Sequence, residues 1–428
     1  MRNGRSNDAC ITPSSVWPPD EDGPLNGSLV LARFLSWWRN VADSLWALPL
    51  AIAAGCAVLA LFALNLELPW TSNIAWLYAG TAEQAPQFAA SLVGAMITLT
   101  ALAFSITMVV LTLAAQQLGP RLIGAFMSDR GTQMALGLFL GTVVYLLLLL
   151  RALDGSPGGG APNLAITGGT ALVLASVVTL LFFVHWLARS VVADHVIARI
   201  GEDLDKALER AFPERAKKCA ETTPSGGCNL ALDDRGYVQF VDYEGLAKDM
   251  ADLGAIIVLH SYAGTHIIAG ETDAHGDGAS RDDLVRALKK AVVISAHRTS
   301  GQDPEWIIRQ LVEIGLRALS PGINDEYTAM AVLDRLTLAL SRLTQRYDPS
   351  GVWRDGAGVA RVFGPTPTIN HMFDAAFDQM REASADKLSV LEHMGRNLAK
   401  LHAHAALHNK LAAYRHLAKL DATMARAQ

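Results

Sequence analysis

The sequence predicts an α-helical membrane domain of four transmembrane helices, followed by a soluble α+β cytoplasmic domain with a helix hairpin and a helical C-terminus. Two observations support this fold class. Hydrophobic residues make up 51% of the chain and the mean hydropathy is +0.24, which is high for a soluble protein. The long uncharged stretches all lie in the N-terminal half, whereas charged residues are spread through the second half.

Four stretches contain no Asp, Glu, Lys or Arg. They are residues 46–66, 87–115, 131–150 and 163–187. Each can cross about 30 Å of hydrocarbon as a helix, and a helix satisfies its own backbone hydrogen bonds in lipid. We therefore expect a transmembrane domain at 41–190, preceded by a disordered cytoplasmic lead at 1–40 and followed by the cytoplasmic domain at 191–428.

Positive charges near these stretches indicate an orientation. Residues 67–86 contain no Lys or Arg, whereas the segments before the first stretch, after the second and after the fourth contain Arg33, Arg39, Arg121, Arg130, Arg189 and Arg199. The positive-inside rule then places both termini in the cytoplasm of a bacterial cell, with the chain in the inner membrane. Arg151, on the opposite side, is the exception.

Small and hydroxylated residues form a regular stripe in the second stretch. We call the following seven residues the hydroxyl stripe: Ser91, Gly94, Thr98, Ala101, Ser105, Met108 and Thr112. Their hydroxyls recur every seven residues, which keeps them on one face of a supercoiled helix. The stripe is either a seam where helices pack or the lining of a water-filled path, where hydroxyls replace part of an ion's hydration shell.

The apolar stretches lack the residues that coupled transport requires. His185, near the end of the fourth stretch, is their only histidine, and they contain no acidic or basic residue. Pumps and exchangers normally keep an ionisable group at mid-membrane, so coupled transport is disfavoured. Gly137 and Gly141 form one GxxxG pattern, which is common where helices pack.

The second half of the chain combines strand and helix patterns. Residues 237–241, 255–260 and 265–269 are short runs with strand-like composition, and residues 243–253 have the pattern of a helix. A helix hairpin follows, in which Asp303 caps the first helix and Asp325 caps the second. The residues with candidate roles in this hairpin are Asp303, Arg317, Ser320, Pro321, Gly322, Asn324 and Asp325.

We call residues 320–325 the elbow of the hairpin. Glu305, Arg309, Glu313 and Arg317 alternate in sign at four-residue intervals along the first helix, which is typical of a surface salt-bridge ladder. In the alternative interpretation, Arg317 belongs to a ligand or subunit contact at the elbow.

Several segments carry a family signature. They are 298–306 (RTSGQDPEW), 317–325 (RALSPGIND), the strand at 236–242 (GYVQFVD) and 116–121 (QQLGPR). In these segments the chain resembles a bacterial family known only as predicted membrane proteins, domain of unknown function 2254. The resemblance implies a membrane location and a fold but no activity. Two positions depart from the family pattern: Glu326 replaces a usual proline, and Gly119 a usual serine.

The sequence predicts no catalytic residue, no metal site and no cofactor. It contains neither a GxxxxGK[ST] phosphate loop nor an HExxH zinc helix. His404 and His408 have metal-like spacing, but we expect a packing or oligomerisation helix there. Asp374, Asp378 and Glu382 could gather a cation, although this spacing usually marks a solvated face.

Two function classes remain. The first is a homo-oligomeric channel whose hydroxyl stripe lines the path for a small ion and whose cytoplasmic domain acts as a gate. The second is a membrane-tethered sensor or scaffold that binds a ligand or partner. An enzyme using Asp303, Arg317 and Asp325 is a weaker third. The expected partners are the lipid bilayer and further copies of the chain. A net charge of −5 and a pI near 6.2, without a basic stripe, argue against nucleic-acid binding.

Overall fold

The computed structural model describes residues 46–65, 84–118, 129–154, 163–190, 192–215 and 223–427. The expected lead at 1–40, which contains Arg33 and Arg39, lies outside the described residues. Arg121 also lies outside them. The described chain divides into two compact units. The first contains the apolar stretches and ends at His195, and the second begins at Val196.

The first unit contains four long apolar helices, as the sequence predicts. They are α1 (Ala47–Asn65), α2 (Ala85–Leu118), α3 (Arg130–Asp154) and α4 (Asn163–Ser190). Each is long and apolar enough to cross a membrane. The observed α2 is longer at both ends than the predicted 87–115, because Ala85, Pro86 and the residues after Ala115 continue the same helix.

Helix α3 is the centre of this unit. Half of its most apolar 18-residue segment is buried, compared with 17–22% in the other three helices. Close packing against α1 depends on the GxxxG glycines. A Cβ atom on Gly137 would lie 2.8 Å from Ile52 Cδ1, and one on Gly141 would lie 2.7 Å from Cys56 Sγ. Side chains at these positions would therefore separate the two helices.

Buried hydrogen bonds connect α3 with α4. The Thr142 and Ser176 hydroxyl oxygens are 3.1 Å apart, and the Tyr145 hydroxyl donates to the Ala165 carbonyl at 2.9 Å. At the start of α3, Trp186 Nε1 donates to Asp129 Oδ2 at 2.9 Å. These bonds fix the rotation of α4 against α3, because buried polar groups that lose their partners destabilise the fold.

The second unit alternates short strands with helices. Its strands are β1 (Cys228–Leu230), β2 (Gly236–Val241), β3 (Ile256–Leu259), β4 (His266–Ile267), β5 (Ala274–Asp277), β6 (Val292–Ser295), β7 (Val352–Arg354) and β8 (Ala360–Phe363). Its helices are α5 (Ala193–Ala211), α6 (Tyr243–Asp252), α7 (Arg281–Ala291), α8 (Pro304–Ala318), α9 (Glu326–Leu343), α10 (Ile369–Ala383), α11 (Leu388–His404) and α12 (Lys410–Ala427). This is the mixed helical and sheet region that the sequence predicts.

The strands form two sheets. The five-stranded sheet has the order β1-β5-β3-β8-β7, in which only β3 and β8 are parallel. The three-stranded sheet has the antiparallel order β4-β2-β6. Strands β1, β2, β3 and β5 share one hydrophobic core with helices α6 and α7. Helices α8 to α12 follow one another along the chain, and the β7–β8 hairpin lies between α9 and α10.

Helix α5 packs on α9 through a buried ion pair. Arg335 Nη2 lies 2.8 Å from Asp205 Oδ2, and both side chains are less than one-sixth exposed. Arg346 Nη1 donates to the carbonyls of Glu209 at 3.1 Å and Phe212 at 2.7 Å. A guanidinium that binds the last carbonyls of a helix satisfies acceptors that have no partner within that helix.

Candidate functional site

The hydroxyl stripe lies on the exposed face of α2. All seven of its residues are exposed in the first unit. A Cβ atom on Gly94 would meet no other atom within 4 Å among the described residues. The packing of α2 inside the unit instead uses Ala89, Val93, Met96 and Ala103, which are at most 8% exposed. The stripe therefore faces away from the chain's own helix contacts.

Three of the four stripe hydroxyls donate to carbonyls of their own helix. Ser91 Oγ donates to the Gln87 carbonyl at 2.9 Å, Thr98 Oγ1 to Gly94 at 3.0 Å and Thr112 Oγ1 to Met108 at 2.8 Å. This i−4 pattern satisfies the hydroxyl proton inside the helix. The oxygen lone pairs stay available, so the stripe presents hydrogen-bond acceptors on an otherwise apolar surface.

The hairpin caps form as the sequence predicts. The Asp303 carboxylate accepts a hydrogen bond from the Trp306 amide at 3.1 Å at the start of α8. The Asp325 carboxylate accepts from the Thr328 amide at 3.1 Å and from the Thr328 hydroxyl at 2.6 Å at the start of α9. Both caps satisfy amide groups that the first helical turn leaves without an intrahelical partner.

The elbow is an exposed turn. Pro321, Gly322 and Asn324 are exposed, and the Ser320 hydroxyl donates to the Arg317 carbonyl at 2.6 Å. Asn324 has a φ angle of 51°, in the left-handed region that asparagine tolerates better than most residues. Its side-chain oxygen accepts from Lys387 Nζ at 2.6 Å, so the start of α11 holds the turn.

The polar hairpin residues do not form one site. Asp303 lies before the first residue of α8, and Arg317 lies near the last residue. At 1.5 Å per residue the two are separated by about 21 Å along the helix. Arg317 Nε instead lies 4.0 Å from Glu313 Oε1, one step of the predicted salt-bridge ladder. The structure therefore gives no shared pocket to Asp303, Arg317 and Asp325.

Asp303 instead belongs to an ion cluster that we define as Arg298, Asp303, Glu305, Arg309 and His371. Arg298 Nη2 lies 2.6 Å from Asp303 Oδ2 and 3.1 Å from Glu305 Oε2. Glu305 Oε1 also accepts from Arg309 Nε at 2.6 Å. The His371 Nε2 atom lies 3.2 Å from Glu305 Oε2.

Burial and partners shift the pKa values in this cluster in different directions. Burial raises the pKa of Asp303 and outweighs the attraction of Arg298. Burial also opposes ionisation of Glu305, but hydrogen bonds from His371 and Arg309 outweigh it and lower the pKa to about 2. The hydrogen bond to Glu305 in turn raises the pKa of His371. The Glu305 carboxylate therefore stays ionised and holds the side chains of Arg298, Arg309 and His371 together.

The backbone at Gly264 lies directly against the ion cluster. Gly264 has a φ angle of 99°, and a Cβ atom there would lie 2.5 Å from Asp303 Oδ2 and 2.7 Å from Arg298 Nη2. Only glycine allows the backbone to approach the ions this closely. The sequence signature at 298–306 thus forms an enclosed structural cluster.

The structure brings His416 to Asp374 and Asp378, two carboxylates that the sequence already places one helical turn apart. Asp374 and Asp378 on α10 and His416 on α12 offer ligand atoms that all lie within 4.8 Å of one another. The pair His404 and His408 does not converge. The ring of His404 contacts the Lys400 carbonyl at 2.9 Å, and the ring of His408 contacts the Arg346 carbonyl at 3.1 Å.

A unit of four apolar helices, followed along the chain by a separate unit of mixed helices and strands, is the architecture of a multi-span membrane protein with a globular domain. The chain belongs to the family described as predicted membrane protein, domain of unknown function 2254, whose model matches residues 42–400. The family resemblance inferred from the sequence is therefore confirmed.

The chain is also similar to uncharacterized mycobacterial proteins. An uncharacterized protein of Mycobacterium tuberculosis (strain CDC 1551 / Oshkosh) is 29% identical over 395 residues, covering 88% of this chain and 76% of its own length. An uncharacterized protein of Mycobacterium bovis has the same identity and coverage. No solved structure matches this chain.

Proposed function

We propose that the chain inserts in the membrane through its four apolar helices and assembles into a homo-oligomeric channel lined by the hydroxyl stripe. One observation carries this proposal: all seven stripe residues are exposed, although the opposite face of α2 is packed. Small hydroxylated residues have no advantage in lipid over leucine or valine. Their exposure favours contact with water or with another copy of the chain.

The length of the stripe supports a membrane-crossing role. Ser91 and Thr112 stand at its two ends, 21 positions apart. At 1.5 Å per residue the stripe extends for about 32 Å, close to the roughly 30 Å of bilayer hydrocarbon. A stripe that only joined two helices locally would not need this length.

The hydrogen bonds of the stripe favour cations over anions. Three of its hydroxyl protons are bonded to α2 carbonyls, so the groups directed outward are acceptor oxygens. Oxygen acceptors replace the hydration shell of a cation, whereas an anion requires donors. A ring of such helices would present repeated oxygen layers with no fixed charge.

A membrane-tethered sensor is the second candidate. The observation that favours it is the separate core of the second unit, where buried residues of two sheets and two helices pack together. A unit with its own core can bind a ligand or partner without taking part in conduction. In this proposal the hydroxyl stripe only joins two copies of α2.

The decisive experiment is single-channel recording of the full-length protein in planar bilayers. Thr98→Leu and Ser105→Leu place a larger side chain in the stripe, and Ala90→Leu places the same side chain at an exposed position of α2, about 100° around the helix from Ser91. We expect discrete cation currents that Thr98→Leu and Ser105→Leu reduce and Ala90→Leu retains. Cross-linking in membranes should give the same oligomer for all four proteins.

Two other results would each argue against conduction along α2. Silent bilayers across voltage, tension and pH would overturn the channel proposal and favour the tethered sensor. Equal currents in Thr98→Leu and Ala90→Leu would place the conduction path elsewhere.

A further inference from the structure

The cluster of Asp374, Asp378 and His416 is the one place in the described second unit where three metal-ligand side chains converge. Asp374 and Asp378 are one helical turn apart on α10, so their carboxylates project from the same face. His416 comes from α12, which packs beside α10. Two helices therefore bring two carboxylate oxygens and one imidazole nitrogen within 4.8 Å of one another.

His416 is buried without a hydrogen bond. Its side chain is 1% exposed, and neither ring nitrogen has a hydrogen-bond partner among the described residues. Asp374 Oδ1 lies 3.2 Å from Nε2, but the pair lacks hydrogen-bond alignment. Asp378 Oδ1 lies farther away, 3.8 Å from Nδ1. A buried imidazole without partners is costly, so its position between two carboxylates requires an explanation.

Two partly exposed basic side chains neutralise the carboxylates. Lys419 Nζ lies 2.8 Å from Asp378 Oδ1 and 3.3 Å from Asp374 Oδ1, and its side chain is 35% exposed. Arg415 Nη2 lies 2.5 Å from Asp374 Oδ1, and its side chain is 43% exposed. Both cations can turn into solvent, because long basic side chains extend easily to water.

The remaining charges stay balanced after such a movement. Arg381 is 16% exposed and lies 3.4 Å from Asp378 Oδ1 and 3.5 Å from Glu382 Oε1. The positive charge of Arg381 and the negative charge of Glu382 offset each other. One divalent ion would then bring the same charge to Asp374 and Asp378 that Lys419 and Arg415 bring now. It would also bind the imidazole, which neither basic side chain does.

We propose that Asp374, Asp378 and His416 form a zinc site that Zn²⁺ and the Lys419 ammonium occupy in competition. Zinc accepts one imidazole and two carboxylates, with water completing a tetrahedral shell. With bonds of about 2.0–2.1 Å, two ligand atoms of such a shell are about 3.3 Å apart. The Asp374 Oδ1 to His416 Nε2 distance of 3.2 Å already has this value.

The imidazole of His416 decides which metal suits the cluster. Nitrogen ligation favours zinc over magnesium or calcium, which prefer oxygen ligands.

Isothermal titration of the full-length protein in detergent with Zn²⁺ tests this site. All proteins carry His260→Ala, because the ring nitrogens His260 Nε2 and His275 Nδ1, 2.6 Å apart, could bind a second ion. We expect one zinc per chain and a raised unfolding temperature. Asp374→Asn should weaken zinc binding at least about 100-fold, in line with the loss of a ligand. His404→Gln, which alters an exposed histidine outside the cluster, should leave binding unchanged.

Lys419→Met gives the sharpest test because it keeps all three ligands. Competition predicts that this variant binds zinc about tenfold tighter, since it removes a positive charge from the metal position. Co²⁺ bound to this variant should show the visible absorption of a tetrahedral site, and His416→Gln should lose it. Failure of Lys419→Met to bind zinc, or binding that is equal in Lys419→Met and Asp374→Asn, would overturn the proposal.

Discussion

The side chain of Arg335 passes directly over Gly201. A Cβ atom on Gly201 would lie 1.8 Å from Arg335 Nε, far inside van der Waals contact. This crossing allows the guanidinium to reach Asp205, one turn farther along α5. The glycine is therefore a condition for the buried ion pair that joins α5 to α9.

Gly201→Ala should destabilise the second unit. The clash displaces Arg335 and costs about 1–3 kcal/mol, as overpacking does in protein cores. Without a clash, alanine would stabilise the helix by about 1 kcal/mol over glycine. Chemical unfolding followed by circular dichroism measures the sign of the change in the free energy of unfolding. In an Arg335→Ala background the same substitution should become neutral or stabilising, and destabilisation there would contradict the steric explanation.

The GxxxG glycines of α3 allow a second steric test. Gly137→Ala and Gly141→Ala should each lower the thermal stability of the protein in detergent, because the new methyl groups meet Ile52 and Cys56 on α1. A cost of about 1–3 kcal/mol is typical of overpacking. Gly55→Ala on α1 is the matched control, since nothing lies within 4 Å of its Cβ position in the described chain. Equal effects at all three positions would exclude the α1–α3 contact as the cause.

The pairing of His371 with Glu305 predicts a pH-dependent stability. The pKa of His371 is raised mainly by its hydrogen bond to Glu305, with Arg309 opposing and Asp374 assisting the shift. Because the pKa of His371 is raised in the folded state, this group stabilises the folded protein fully when the pH is below its unfolded-state pKa, near 6.5. The stabilisation disappears as the pH rises through the folded-state pKa. The lowered pKa of Glu305 stabilises above about 4.5, and this contribution is lost as the pH falls toward 2.

Urea unfolding between pH 5 and pH 9 in a chelating buffer measures this dependence. The wild-type protein should lose stability as the pH rises past the folded-state pKa of His371. His371→Gln should show a flatter profile across this range. An unchanged slope in the variant would assign the dependence to another group.

The Asp325 cap predicts a local effect at the hairpin. Asp325→Ala should destabilise the second unit by about 1 kcal/mol, because the Thr328 amide loses its acceptor. Asp325→Ser should recover most of this loss, since serine is also a good N-cap residue. Hydrogen exchange at the first turn of α9 measures the effect. Equal exchange in the alanine and serine variants would exclude a capping role.

Local signals predict much of this architecture. The four apolar helices follow from uncharged segments of sufficient length, and the caps at Asp303 and Asp325 follow from residue type and position. The β5 strand does not, because Ala274, His275, Gly276 and Asp277 have little strand preference. Pairing with β1 on one side and β3 on the other holds β5 in place. The strand conformation of β5 therefore depends on its tertiary contacts and not on its local sequence.

The candidate sites show the same division. The periodic spacing of the hydroxyl stripe was visible in the sequence, but its exposure depended on which face of α2 packs. The carboxylates at Asp374 and Asp378 were visible as a helical pair. Their approach to His416 was not, because no local period connects residues on α10 and α12, which are separated by the whole of α11.

The zinc site proposed above uses residues inside and outside the region that matches the family. The family match ends at residue 400, whereas α12 begins at Lys410. Asp374 and Asp378 therefore lie inside the matched region, and His416 lies outside it. A relative would share the proposed metal binding only where its own C-terminal helix supplies an imidazole at this position, so membership of the family and zinc binding are separable traits.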